Sequence, residues 1–239
     1  MIKIIKIILT LTFFLAYINN FCQDSFNQLD VNGKKNGHWI GYHESSKTKR
    51  YEGYFRAGIP SGEFTYYNKK GIIAAKVNFI NDSVSISTMF YENGVVMAKG
   101  KFINKIKVGK WSTYLKTGDL LNINNYKFGE LDGPQYTYYP EDKETKEISL
   151  MEEFYCVNGL KDGVWKQYYE LGSLKAKGQY HKGLKQGKFE YYFSNGAIDM
   201  KGRFVDDKKH GLWYFFDLEN EKMNEYIYNN GDIQNKVKE

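Results

Sequence analysis

Residues 163–180 read GVWKQYYELGSLKAKGQY, and residues 187–204 read GKFEYYFSNGAIDMKGRF. The two stretches match slot by slot. From the anchors Gly163 and Gly187, an aromatic stands two residues on (Trp165, Phe189) and another five on (Tyr168, Tyr192). A Gly follows nine on (Gly172, Gly196), and an aromatic returns seventeen on (Tyr180, Phe204). Self-similarity at a fixed period marks a repeat architecture and precedes any reading of single elements.

Working outward, the same anchor recurs at Gly37, Gly62, Gly109, Gly133 and Gly211. The plus-two slot then holds Trp39, Phe64, Trp111, Gln135 and Trp213, and the plus-five slot Tyr42, Tyr67, Tyr114, Tyr138 and Phe216. The slot seventeen on holds Tyr54, Phe79, Tyr126 and Tyr228. The gap from Gly62 to Gly109 is 47 residues, twice the period of about 24 less one, so a copy is hidden there. With Ser85 as its anchor, Phe90, Gly94 and Phe102 fall into their slots. The gap of 30 from Gly133 to Gly163 gives that copy about six extra residues, assigned to Glu141 to Glu147, and puts Cys156 in a slot held elsewhere by a ring. Eight copies result.

Each copy reads as a β-hairpin. The first strand carries the plus-two and plus-five rings. Asn93-Gly94 and Asn195-Gly196 then supply a pair that tolerates positive φ at a tight reversal. The second strand alternates, with Leu174, Ala176, Gly178 and Tyr180 on one side and Lys175, Lys177 and Gln179 on the other. Period two is the mark of a half-buried strand. Its small residues leave room for a neighbour's ring. Because plus two and plus five differ in parity, one ring row packs inward and the other forms a ladder on the far face. A lone hairpin is marginal in water, and stacking supplies the missing burial. The expected fold is all-β: tandem hairpins stacked into an extended, twisted antiparallel meander of eight repeats and about sixteen strands.

Composition agrees with this reading. Aromatics make up 17% of the chain, with 21 Tyr, 16 Phe, 23 Gly and only 3 Pro, which suits strands joined by frequent turns. Residues 1–23 read as a signal peptide or N-terminal anchor: Lys3 and Lys6 precede an apolar run from Ile7 to Ile18, too short for a spanning helix. Ordinary cleavage near Gln23 is favoured over lipidation at Cys22, because Phe21 stands where a lipoprotein signal wants a small residue. The expected location is exported: periplasm, outer envelope or secreted. Removing Lys3 and Lys6 from a net charge of +6 leaves +4, scattered and mixed in sign, which argues against nucleic acid. A single remaining cysteine, Cys156, excludes an internal disulfide framework. Residues 24–34 and 232–239 read as a polar flank and tail around a repeat domain at 35–231.

The unit resembles the MORN repeat, in the divergent variant common in exported bacterial proteins. The residues that carry this are Tyr51-Glu52-Gly53-Tyr54-Phe55 with Gly58, Gly62 and Phe64, Gly178-Gln179-Tyr180 through Gly187 and Phe189, and Gly202-Arg203-Phe204 through Gly211 and Trp213. The resemblance covers about residues 33–231. It implies a hairpin meander used for protein contact and sometimes for lipid association, and some bacterial relatives carry an antitoxin label. The chain departs from the tighter eukaryotic pattern in its Trp-x-x-Tyr strand.

His38, His43, His181 and His210 show no spacing that converges metal ligands, and Cys156 reads as a small buried hydrophobe. No acid, base and nucleophile converge, so the chain reads as no enzyme, with no cofactor and no metal. The expected function is a protein-binding or scaffolding module at the cell envelope; the alternatives are recognition of a glycan or lipid surface and neutralisation of a partner protein. The candidate binding residues are Trp39, Trp111, Trp165, Trp213, Tyr114, Tyr168 and Tyr192, since Tyr and Trp dominate binding hot spots. Gln135, Ser85 and the Glu141 to Glu147 insertion, as breaks in the repeat, are further candidates for contact. The oligomeric state is left open.

Overall fold

A computed structural model describes residues 26–44, 46–219 and 221–236. The expected signal segment and Cys22 lie outside the described residues. The described chain forms one open sheet of twenty antiparallel strands, each pairing with its sequence neighbours. Glu130–Leu131 with Gly133–Tyr138, and Leu184–Lys185 with Gly187–Tyr192, are single strands interrupted beside an anchor glycine. The flank and tail, read as polar extensions, each add an edge strand, Gln28–Leu29 and Asp232–Lys236. Sixteen strands remain for eight hairpins, as the repeat implies.

The anchor glycines sit at positive φ, for example +101° at Gly163 and +69° at Gly211, and Gly62, Gly109, Gly163 and Gly211 each make a bulge in the pairing with the preceding strand. Ser85 carries a side chain, and its strand Val84–Phe90 pairs with Ile73–Phe79 without any bulge. Seven residues separate Phe102 from Gly109 and Phe204 from Gly211, but six separate Phe79 from Ser85. The missing bulge residue is why the double period is one short.

Two kinds of turn join the strands. Within a copy, Tyr91 N–H donates to Val95 O and Gly94 N–H to Tyr91 O, a short loop in which Gly94 alone has positive φ (+83°). This corrects the reading of Asn93-Gly94 and Asn195-Gly196: the Asn keeps ordinary φ, and its side-chain oxygen accepts from Val95 or Ala197 N–H. Between copies, except in the connection before Ser85, both central residues have positive φ, as in Asn158-Gly159 (48° and 80°) and Asp206-Asp207 (48° and 66°). These are the mirror-image turns whose twist matches the strands. In the first copy Gly37 pairs with Phe55, as Gly163 pairs with Tyr180. Phe55 therefore fills the ring slot assigned to Tyr54, because that copy's turn is a residue longer.

One face is packed. Plus-two rings and second-strand rings alternate edge to face: Phe55, Phe64 and Phe79; Phe102, Trp111 and Tyr126; and Trp165, Tyr180, Phe189, Phe204, Trp213 and Tyr228. Such pairs add about 0.5–1.5 kcal/mol each beyond area burial. Four of the plus-two rings lie on a glycine of the preceding strand. A Cβ on Gly178 would come within 2.3 Å of the Phe189 ring, and one on Gly202 within 2.2 Å of Trp213. Gly53 under Phe64 and Gly100 under Trp111 repeat the arrangement. In two copies the glycine slot is filled and the ring is gone. Val77 precedes buried Ser87, and Asn124 precedes buried Gln135. The remaining case, Phe154 before Trp165, has small, buried Cys156 in the adjoining ring slot.

Candidate interaction face

The packed face takes three of the four candidate tryptophans out of reach. Trp111 and Trp213 are 1% and 0% exposed and Trp165 is 8% exposed. The indole N–H of Trp111 donates to Lys101 O and that of Trp213 to Arg203 O, both at 3.1 Å. Trp165 N–H instead donates to Glu152, which also accepts from Lys161 at 2.8 Å. The remaining solid angle is closed by lysines two residues before the anchors. Lys35, Lys107 and Lys209 lie over Trp39, Trp111 and Trp213 at 4.5, 4.6 and 4.4 Å. Burial lowers the Lys209 pKa. Trp39, at the open end, is half-buried, and its N–H donates to Gln28 O at 3.0 Å.

Gln135 is likewise no contact point. It is fully buried, its amide nitrogen donates to Asn125 O and Gly133 O, and its oxygen accepts from Asn125 N–H. A satisfied amide fills a hole that a ring fills elsewhere. Ser85 is a half-buried strand position. The insertion is an exposed turn, in which Asp142 accepts from Glu144 and Thr145 N–H.

The other face carries the partly exposed groups. Direct cross-strand pairs build a row across it: Tyr136, Glu153, Lys166, Lys177, Glu190, Lys201, Tyr214 and Glu225. The row continues through the first copies with Thr65, Lys76, Thr88, Lys99 and Ser112. Lysines and glutamates are neighbours along it, and the two lysines that meet, Lys166 and Lys177, each pair with a glutamate on the other side. Lys166 and Glu153 are 2.9 Å apart, and Lys177 and Glu190 2.7 Å. The plus-five tyrosines from Tyr67 on stand beside this row, half-buried. Tyr168 O–H donates to Glu153 and Tyr192 O–H to Glu190, while Lys99 lies over the Tyr114 ring at 5.5 Å. Lys177 holds the Glu190 carboxyl below the usual carboxylate range, and Lys166 does the same for Glu153. Burial pushes the Tyr168 and Tyr192 phenols up. Of the seven candidates, Tyr114, Tyr168 and Tyr192 thus share the accessible face.

A second tyrosine row, one residue further on, went unread in the sequence. Tyr91, Tyr139 and Tyr169 donate their hydroxyls to Tyr114, Tyr168 and Tyr192 O in the next copy, at 2.8–2.9 Å. His43 makes the equivalent contact to Tyr67 O at 3.0 Å. The recurring Tyr-Tyr pairs were the available signal. The other histidines are scattered: His38 meets Glu52 at 3.0 Å and His181 meets Asp162 at 3.5 Å. Among the described residues no three His, Cys, Asp or Glu groups could hold a metal ion. Burial raises the Cys156 thiol pKa.

A family model for the MORN repeat variant matches residues 85–104 and 161–182. The first match covers the copy that starts at Ser85. Repeats of this family are generally protein- or membrane-lipid-binding modules. Comparison with curated proteins finds no match.

Proposed function

We propose that this chain, two stretches of which match the MORN repeat variant, is an exported, non-enzymatic MORN-type repeat module that binds a protein partner at the cell envelope through the charged face of its sheet. The observation that carries this reading is the division of labour between the faces. The packed face uses its rings to hold neighbouring copies together and caps them with its own lysines. The charged face leaves half-buried tyrosines beside paired Lys and Glu, a mixture of rigid ring area and orienting charge that suits a protein surface. The apolar segment from Ile7 to Ile18 supports export. The antitoxin label of some relatives fits the same face as neutralisation of a protein.

A photo-crosslinking side chain at Tyr168, with one at Ala176 on the packed face as control, tests the reading in cells that express the full chain. One protein crosslinked from Tyr168 and none from Ala176 is the expected result. Crosslinking to lipid or glycan alone, or equally from both positions, would overturn it. Cell fractionation tests export, and a cytoplasmic chain with an uncleaved leader would overturn that part.

A further inference from the structure

Three depressions on the charged face adjoin across the last four copies. The first and second share Val164 and Lys166, and the second and third share Lys188 and Glu190. They form one groove from the strand of Tyr136 to that of Tyr214, crossing seven strands. At about 4.8 Å per strand spacing this is roughly 29 Å, the length of about nine extended residues. The two ends differ. Pro134, Tyr136, Tyr155 and Val164 line one end, with Tyr155 47% and Val164 53% exposed.

The other end is basic. Lys188 pairs directly with Arg203, and Arg203 with His210. All three are exposed, and none has an ion-pair partner among the described residues. The nearby carboxylates are committed: Glu190 to Lys177 and Tyr192, Glu225 to Lys222, and Asp207 to the Lys185 amide. Like charges directly opposite in a sheet destabilise it; the other such pair on this face, Lys166 and Lys177, is neutralised by Glu153 and Glu190, whereas Lys188 and Arg203 face each other with no carboxylate paired to either among the described residues. Packing therefore gives no reason for Lys188 and Arg203 to face each other; an anionic ligand does. Leu212 and Tyr214 line the same depression.

We infer that this groove receives an extended segment of a partner protein, acidic at the end over Lys188, Arg203 and His210 and apolar at the end over Tyr155 and Val164. Glu153 and Asp162 line the first depression and Glu190 the other two, so a uniform polyanion meets carboxylates along the groove, which favours such a peptide over a sulfated glycan or an anionic membrane. The inference rests on the proposal that the charged face binds protein.

The test is fluorescence anisotropy of the purified full chain with a labelled peptide of ~9 residues, three Glu at one end and Leu-Phe-Leu at the other. Saturable binding is expected, weakening as salt rises and falling about tenfold in Lys188→Gln/Arg203→Gln. That variant should unfold at no lower urea concentration than the natural chain, since it relieves repulsion. Arg203→Glu should lose the acidic peptide too. No binding of the peptide, unchanged binding in both variants, or tighter binding of heparin or phosphatidylglycerol vesicles through the same residues would overturn the inference. If crosslinking at Tyr168 still captures a protein in those cases, the broader reading stands and only the groove's ligand is wrong.

Discussion

Adding one methyl group at Gly202 tests how the packed face is built. Its backbone lies outside the positive-φ region, so alanine there meets no conformational penalty. In an open strand Gly→Ala would stabilise by about 0.5–1 kcal/mol, because the unfolded chain loses freedom. Here the new Cβ would lie 2.2 Å from Trp213 Cδ2 and 2.3 Å from Cε2. Carbon contacts prefer about 3.5–4.0 Å, so the indole must move by more than ~1 Å or the strands must part. Trp213 cannot move freely, fenced by Phe204, Phe215, Tyr228 and Lys209. Overpacking of this kind costs about 1–3 kcal/mol, so the net effect is a loss of roughly 1–2 kcal/mol. Trp213→Ser alone should cost about 3–5 kcal/mol. In that background Gly202→Ala should become neutral or stabilise by up to ~1 kcal/mol, a coupling of about 1–3 kcal/mol. The natural pair Val77 and Ser87 already shows a filled slot beside a ringless one. Because repeat sheets can open locally, urea unfolding should be read with hydrogen exchange of Ile198–Val205 and Lys208–Phe216. Equal cost in both backgrounds, or a stabilised single variant, would refute the packing argument.

Other consequences are smaller. Asp207 sits at φ +66° in a mirror-image turn where most other copies have glycine (Lys105 is the other exception), and its carboxylate accepts one backbone N–H. Asp207→Gly should raise stability by up to ~1 kcal/mol, read as a higher urea midpoint. Cys156 is buried and its thiol pKa raised; the folded chain should resist an aromatic disulfide reagent at pH 8 and react once unfolded in urea. Glu190 has a lowered pKa, so its contribution to stability is present above its ordinary value of 4.5 and is lost as pH falls through the folded-state value. Glu190 and Lys177 are 31% and 46% exposed, which limits the effect to under ~1 kcal/mol, and Glu190→Gln should flatten the acid limb of a thermal-stability profile by that much.

The repeat, the strand pairing and the hidden copy were all legible, because bulge glycines and alternating rings recur at fixed spacing. The assignment of Cys156 to a ring slot held, since Gly133 pairs with it as Gly163 pairs with Tyr180. What the sequence hid was which side of a strand stays accessible. Trp165 and Tyr168 looked equally suited to binding, yet Gly178 and its counterparts draw the plus-two rings onto the sheet, while the plus-five rings have Lys and Glu as neighbours. The exceptions misled for the same reason. Gln135 looked functional alone, whereas with Asn124 it is one half of a packing exchange. The basic triple at Lys188, Arg203 and His210 spans three strands, and only the register brings it together.

The most direct measurement is quantitative capture of partners from detergent-solubilised envelope by residues 24–239, compared with Tyr114→Ser/Tyr168→Ser/Tyr192→Ser and with Trp111→Ala. The triple variant should keep a native circular dichroism spectrum and lose one protein that the natural chain enriches. Trp111→Ala should lose binding only as far as it loses fold. Retention of that protein by the triple variant, or capture of no protein by the natural chain, would contradict a protein-binding role for the charged face.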